Sequence, residues 1–88
     1  MKITVFEKTS SYCGQCRATI KKLDLLGFDY EVKAIEDQPA EWLHAHKAAG
    51  RMQAPIVEVG YPSGGSIEWG GYRVDIIEKL TKERNAAD

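Results

Sequence analysis

The sequence predicts one α/β domain in which a mixed four-stranded sheet is flanked by three helices. Short β-branched runs alternate with amphipathic stretches of helical period, which is typical of this class. Glycines follow the ends of the first two amphipathic stretches. The length of 88 residues suits one domain with a thin core. We predict the order β-α-β-α-β-β-α over residues 1–84, with 85–88 as a short polar tail.

The first strand and helix come from the amino-terminal third of the chain. Residues 2–6 are β-branched and aromatic and have the length of a buried strand, whereas 7–12 read as a polar loop. A helix is predicted from about Cys13 to Leu26, because glycine follows it and apolar residues recur on one face. That buried stripe consists of Cys16, Ile20 and Leu23.

The middle of the chain predicts a second strand and a second helix. Residues 28–34 alternate between apolar and polar side chains, as in a half-buried strand. We expect this strand to pair parallel with the first, as in a strand–helix–strand unit, with a right-handed crossover through the helix between them. Pro39 with acidic neighbours marks the next helix start. We expect Trp42 in the core and both His44 and His46 solvated or partly packed.

The last third predicts a hairpin followed by a helix. Residues 55–59 and 66–69 have strand composition, and the turn at 61–65 allows them to pair antiparallel. A glycine pair at 70–71 ends the second of these strands. The final helix then runs from about Arg73 to Glu83, with its inward face formed by Val74, Ile77 and Leu80.

Composition and charge argue against several classes of partner. The formal net charge is −1 with 28% charged residues, and no block of like charges predicts nucleic-acid or membrane-surface binding. The apolar run at the amino terminus is too short for a signal peptide, and no stretch is long enough to span a membrane. We therefore expect a cytoplasmic protein, and we expect it to be a monomer.

The cysteine pair Cys13 and Cys16 carries the chemical prediction. A disulfide that closes so short a loop adds little chain-entropy stabilisation, and reducing compartments disfavour structural bridges. The pair lies at a predicted helix start, where unpaired N–H groups and the helix dipole stabilise a thiolate. We predict Cys13 as the nucleophile and Cys16 as the resolving thiol, with their reversible disulfide as the redox group and no cofactor.

Zinc is the other common use of a Cys-x-x-Cys pair. Zinc takes four ligands, whereas the chain offers two thiols. His44 and His46 are two positions apart and diverge on a helix, so a zinc site would need a dimer. We therefore predict no metal.

Two further segments carry a family resemblance. Residues 52–57, Met-Gln-Ala-Pro-Ile-Val, look like the loop–proline–strand segment of thioredoxin-fold redoxins. Residues 69–75, Trp-Gly-Gly-Tyr-Arg-Val-Asp, resemble the NrdH-redoxin signature Trp-Ser-Gly-Phe-Arg-Pro-Asp. Together with the cysteine motif, in this order, they make nearly the whole chain similar to NrdH-redoxins. The sequence departs from the family pattern at Gly14, Gly70 and Val74.

The resemblance implies a fold, an activity and partners. The fold is the thioredoxin-like, more closely glutaredoxin-like, three-layer α/β/α arrangement with a mixed four-stranded sheet. The activity is that of a dithiol–disulfide oxidoreductase, an electron carrier for deoxyribonucleotide synthesis. The implied partners are thioredoxin reductase as the electron source and a class Ib ribonucleotide reductase as the acceptor.

The resemblance also implies roles around the cysteine pair. Pro55 is expected to be cis and to lie against the pair, which leaves the Ala54 backbone free to bind an extended target segment. The residues expected to contact substrate are Tyr12, Ala54, Pro55, Trp69, Gly70 and Gly71. Two residues, Arg73 and Asp75, are expected to support the structure, with Arg73 bonding loop carbonyls. Trp69 is either an exposed docking residue or part of the sheet core.

Three alternatives remain open at this stage. The first is a glutathione-dependent glutaredoxin, because Gly70 and Gly71 resemble the Gly-Gly-x-Asp motif whose acid binds the amino group of glutathione. Arg73 occupies the acid's position with the opposite charge, so this alternative ranks second. The others are a non-catalytic docking module, and an iron–sulfur cluster shared between two protomers through Cys13.

Overall fold

A computed structural model describes residues 1–87 and contains the elements in the predicted order. No helix within these residues has both the length and the apolar character needed to cross a membrane. The elements are β1 (Lys2–Glu7), α1 (Gly14–Leu25), β2 (Tyr30–Ala34), a short 3₁₀ turn (Ile35–Asp37), α2 (Ala40–Ala48), β3 (Ile56–Gly60), β4 (Ser66–Gly70) and α3 (Val74–Ala87).

The four strands form one mixed sheet in the order β2-β1-β3-β4. β1 pairs parallel with β2 and antiparallel with β3, and β3 pairs antiparallel with β4. Val5, at the centre of the sheet, faces Val32 on one side and Val57 on the other. The predicted sheet, its parallel first pair and the final hairpin are therefore confirmed.

One face of the sheet carries the main hydrophobic core. Side chains alternate along a strand, so Ile3 and Val5 of β1 point to the same face. Two helices cover that face: α1 contributes Leu23 to the core, and α3 contributes Ile77 and Leu80. The buried cluster consists of Ile3, Val5, Leu23, Phe28, Val57, Val59, Trp69, Ile77 and Leu80. This core fixes α1, and with it the cysteine pair, relative to β3.

The opposite face of the sheet is covered by α2. The Phe6 ring of β1 lies 4.5 Å from the Trp42 ring, measured between centroids. Trp42 Nε1 donates a hydrogen bond of 2.8 Å to Glu58 on β3, and His46 Nε2 lies 3.1 Å from the same carboxylate. With helices on both faces, the three-layer arrangement is confirmed.

Burial of the second helix differs from the prediction at two positions. His46 is 3% exposed rather than solvated, because Glu58 and Arg51 satisfy both of its ring nitrogens. Trp42 is half-buried and outside the main core, since its indole N–H reaches the Glu58 carboxylate of β3 on the face of the sheet that α2 covers.

The last helix is longer than predicted. It continues to Ala87 instead of ending at Glu83, so residues 85–87 of the predicted tail are helical and Asp88 lies outside the described residues. Arg84 anchors this extension. Its guanidinium donates a hydrogen bond of 2.9 Å to the carbonyl of Leu26 and lies 4.1 Å from the centre of the Phe28 ring.

The second strand is shorter and more exposed than predicted. It begins at Tyr30 rather than Phe28, and Val32 is 44% exposed. β2 lies at the edge of the sheet, where fewer neighbours cover its side chains. The alternating pattern therefore gave the strand correctly but overestimated its burial.

Two leucines of α1 test the core. Leu23→Ala should lower the free energy of unfolding by ~2–5 kcal/mol, because it removes a fully buried side chain from the cluster. The melting temperature should fall by roughly 10 °C or more. Leu25→Ala is the matched control on the same helix, since Leu25 is 74% exposed. Equal effects of the two substitutions on thermal unfolding would contradict this core.

Candidate active site

The cysteine pair lies at the first turn of α1. Cys13 is the residue before the helix, and its Sγ accepts a hydrogen bond of 3.2 Å from the backbone N–H of Cys16. The two sulfurs are joined in a disulfide, with 5.3 Å between the Cα atoms. A sulfur that already accepts a helix N–H lies where negative charge is stabilised.

The two sulfurs differ in their access to solvent. Cys13 is partly exposed, whereas Cys16 is only 2% exposed. Of the two sulfurs, that of Cys13 is therefore the more accessible, which agrees with the predicted roles of Cys13 as nucleophile and Cys16 as resolving thiol. The helix explains this difference, because a residue one turn into α1 points towards the sheet.

A surface cavity of about 260 Å³ borders the pair. Its lining holds two cations, Lys8 and Arg17, against one carboxylate, Glu7, so the net charge of the cavity favours an anionic sulfur. Tyr12 is 83% exposed, which agrees with its predicted contact with substrate. The cavity is lined by Glu7, Lys8, Thr9, Ser11, Tyr12, Cys13, Cys16 and Arg17.

The segment before β3 contains the predicted proline. The Ala54–Pro55 peptide bond is cis, as predicted, and Pro55 is fully buried. Ala54 borders a second, larger surface groove of about 360 Å³, whose lining includes the apolar side chains of Ile35, Leu43 and Ile56. This placement leaves the Ala54 edge accessible to an extended chain.

The glycine pair packs onto both of these segments. Gly71 donates a hydrogen bond of 2.7 Å to the carbonyl of Pro55 and has a φ of 86°. A Cβ atom at Gly71 would lie 2.8 Å from Gln53 Oε1 and 2.9 Å from Gln15 Oε1. Glycine is thus required for this close approach. Gln15, between the cysteines, also accepts a bond of 3.0 Å from the N–H of Tyr72, a contact that the sequence did not predict.

Trp69 belongs to the sheet core. It is 4% exposed and lies in the main hydrophobic cluster, so the docking interpretation of this residue is wrong. Alternation along β4 explains its position, because Trp69 pairs with the buried Val57 and shares its face. Its indole Nε1 is buried without a hydrogen-bond partner among the described residues.

Arg73 makes a different contact from the predicted one. Its guanidinium donates two hydrogen bonds to the Asp75 carboxylate, of 3.1 and 2.9 Å, instead of bonding loop carbonyls. This contact lowers the pKa of Asp75 and raises that of Arg73. Both side chains are exposed, so the pair contributes little to stability.

Glu36 holds the loop that precedes the cysteines. Its carboxylate accepts bonds from the Thr9 N–H at 3.0 Å, the Thr9 hydroxyl at 3.0 Å and the Ser10 N–H at 2.8 Å. Hydrogen bonds from its own backbone N–H first, and then from Ser10 and Thr9, lower its pKa to about 2. The sequence carries no local signal for this contact, because it depends on the parallel register that pairs Glu7 with Ala34 and so places the residues beyond both strands side by side.

One cluster of metal-ligating groups lies on the opposite face of the sheet. The ligand atoms of His46, Glu58 and Glu68 lie within 4.8 Å of one another. Arg51 contacts two of the three, with 2.7 Å from its Nε to His46 Nδ1 and 3.0 Å from its Nη2 to Glu68. These groups satisfy one another, so the cluster links α2 to the sheet. The absence of a metal stays a prediction.

Comparison with known proteins gives consistent relatives. Residues 3–61 match the family model described as Glutaredoxin. The glutaredoxin-like protein NrdH of Escherichia coli (strain K12) is 34% identical over 87 residues, which cover 99% of this chain and 98% of that protein. The protein of the same name from Salmonella typhimurium (strain LT2) is 31% identical over 88 residues.

A solved structure shows the same fold. The glutaredoxin-like protein NrdH-redoxin from Escherichia coli, described as having a thioredoxin-like activity profile, superposes with a TM-score of 0.70 at 32% identity. The match covers 91% of this chain and 95% of that one. The predicted thioredoxin-like, glutaredoxin-like fold is therefore confirmed.

Glu36 gives a prediction about stability and pH. Its ordinary pKa is 4.5 and its pKa in the folded chain is about 2, so its contribution is complete above pH 4.5 and is lost as pH falls towards 2. Glu36→Gln should therefore destabilise the chain near neutral pH, and the difference from the unaltered chain should shrink in acid. Urea unfolding of both proteins at several values from about pH 6 to about pH 2 measures this difference in the free energy of unfolding.

Glu31→Gln is the matched control, because Glu31 is an exposed glutamate on the neighbouring strand. A stability loss in Glu36→Gln that does not change with pH would show that the carboxylate charge plays no part.

Proposed function

The chain belongs to the glutaredoxin family, among its NrdH-like thiol–disulfide oxidoreductases, and on this basis we propose that it carries electrons from thioredoxin reductase to a class Ib ribonucleotide reductase. The observation that carries the proposal is a partly exposed Cys13 at the start of α1, disulfide-bonded to a buried Cys16. The proposed compartment is the cytoplasm, where reducing conditions keep such a pair available as a dithiol.

The first step of the proposed reaction uses Cys13. In the reduced chain its thiolate attacks one sulfur of a target disulfide, so that a mixed disulfide forms and the other target sulfur leaves as a thiolate that takes up a proton. The N–H of Cys16 and the positive end of α1 stabilise the attacking thiolate. Lys8 and Arg17 add positive charge at the same cavity.

The second step uses Cys16. It loses its proton and attacks the Cys13 sulfur, which breaks the mixed disulfide and releases the second target thiol. Two electrons and two protons have then passed to the target, and the chain holds the Cys13–Cys16 disulfide. Burial of Cys16 supports this order, because a partner disulfide cannot reach it before Cys13. A reductase must supply two electrons to start the next cycle.

The target is proposed to bind as an extended segment along Ala54. This backbone precedes the cis bond to Pro55 and borders the groove described above. The resemblance to NrdH-redoxins implies a ribonucleotide reductase as the target and a thioredoxin reductase as the electron source, and the thioredoxin-like activity profile described for the solved relative agrees with a source of that kind. The Arg73–Asp75 ion pair supports this ranking over glutathione, because a cation stands where glutaredoxins use an acid.

A coupled assay tests the electron source. We expect NADPH-dependent reduction of insulin with thioredoxin reductase, and much slower turnover with glutathione and glutathione reductase. A class Ib ribonucleotide reductase is the next acceptor, with dithiothreitol as the positive control for that enzyme. Faster turnover with glutathione would instead make the chain a glutaredoxin in the narrower sense, and inactivity in both arms would favour a docking module.

Single cysteine substitutions test the two proposed roles. Cys13→Ser should abolish disulfide reduction, because the buried Cys16 cannot reach a partner. Cys16→Ser should keep the first step and accumulate mixed disulfides with target proteins, which non-reducing gels and intact mass spectrometry detect. Equal residual activity of the two variants would contradict the assignment.

A further inference from the structure

We propose that Gln15 is a positioning residue that makes the redox site reduce protein disulfides better than small ones. The inference rests on the proposed function, since it concerns how that site receives its substrate. Gln15 lies between the two cysteines, in the first turn of α1. Its side chain connects this turn to the loop that holds the cis-proline segment.

The contacts of Gln15 fix the residue at two points. Its backbone carbonyl accepts a bond of 2.8 Å from the hydroxyl of Thr19, a fully buried residue of the same helix. Its side-chain Oε1 accepts a bond of 3.0 Å from the N–H of Tyr72, which is 57 positions away along the chain. The amide is thus held between α1 and the start of α3.

The same loop is bonded to the cis-proline segment. The backbone N–H of Gly71 donates a hydrogen bond of 2.7 Å to the carbonyl of Pro55. The N–H of the next residue, Tyr72, donates a hydrogen bond to Gln15 Oε1. The Cys-x-x-Cys turn and the Ala54–Pro55 segment are therefore linked through two consecutive N–H groups. This link sets the position of the Cys13 sulfur relative to the Ala54 backbone.

That relative position matters for one class of substrate. A protein disulfide contacts the site at two places, because its chain lies along Ala54 while its sulfur meets Cys13 in line for exchange. A small disulfide contacts the site only at Cys13. Loosening the link should therefore slow reduction of a protein disulfide and leave a small disulfide nearly unaffected.

Single-turnover kinetics with the prereduced full chain test this inference without any reductase. The protein substrate is insulin, the small one is hydroxyethyl disulfide, and the readout is the ratio of the two second-order rate constants. Gln15→Ala should lower this ratio about 3- to 10-fold, the factor that corresponds to one hydrogen bond. Gln15→Glu keeps an acceptor for the Tyr72 N–H, so its ratio should return to that of the unaltered chain. The added negative charge acts on the reduction of both substrates and therefore cancels in the ratio.

Gln53→Ala is the matched control. Gln53 Oε1 approaches the same glycine as Gln15 does, so this variant changes packing at Gly71 while the Gln15–Tyr72 bond stays. Its ratio should equal that of the unaltered chain. An unchanged ratio in Gln15→Ala, an equal slowing of both substrates, or an equal loss in Gln53→Ala would each overturn the inference. Failure of the unaltered chain to reduce insulin would instead overturn the proposed function.

Discussion

Parallel pairing of β1 with β2 is the constraint on which the redox site depends. A parallel pair needs a crossover, and a right-handed crossover places α1 on one face with its first turn above the carboxyl end of β1. The cysteines therefore meet a helix amino terminus at the edge of the sheet. The same register, Glu7 opposite Ala34, brings Glu36 beside Thr9 and so orders the loop that leads to Cys13.

Three segments that are distant in sequence build the site on this base. The helix start supplies the sulfurs, the cis-proline segment supplies an open backbone edge, and the glycine pair joins the two by hydrogen bonds. Glycine is needed at both positions of the pair. A side chain at Gly70 would meet the backbone carbonyl of Gln53, and one at Gly71 would meet the side chains of Gln53 and Gln15. The chemistry is local to the cysteines, but their orientation towards a partner depends on all three segments.

Polar contacts on the opposite face of the sheet stabilise the loop that leads from α2 to Pro55. Arg51 donates its backbone N–H to the carbonyl of His46 at 2.9 Å, and its guanidinium contacts His46 and Glu68. The residues that lead to Pro55 are thereby tied to α2 and β4. Because the described members of this polar cluster satisfy one another, the cluster gives the loop one conformation.

The sequence by itself determined the order of elements, the mixed sheet and the position of Cys13 and Cys16 at a helix start. Hydrophobic periodicity, glycines at helix ends and the cysteine spacing are local patterns. They can be recognised in the sequence without knowledge of the tertiary contacts. Only the tertiary structure decided that Trp69 is core and that His46 is buried. It also brought Glu36 to Thr9 and Gln15 to Tyr72, contacts that span 27 and 57 positions. Such contacts depend on strand register and helix packing, and no local pattern encodes them.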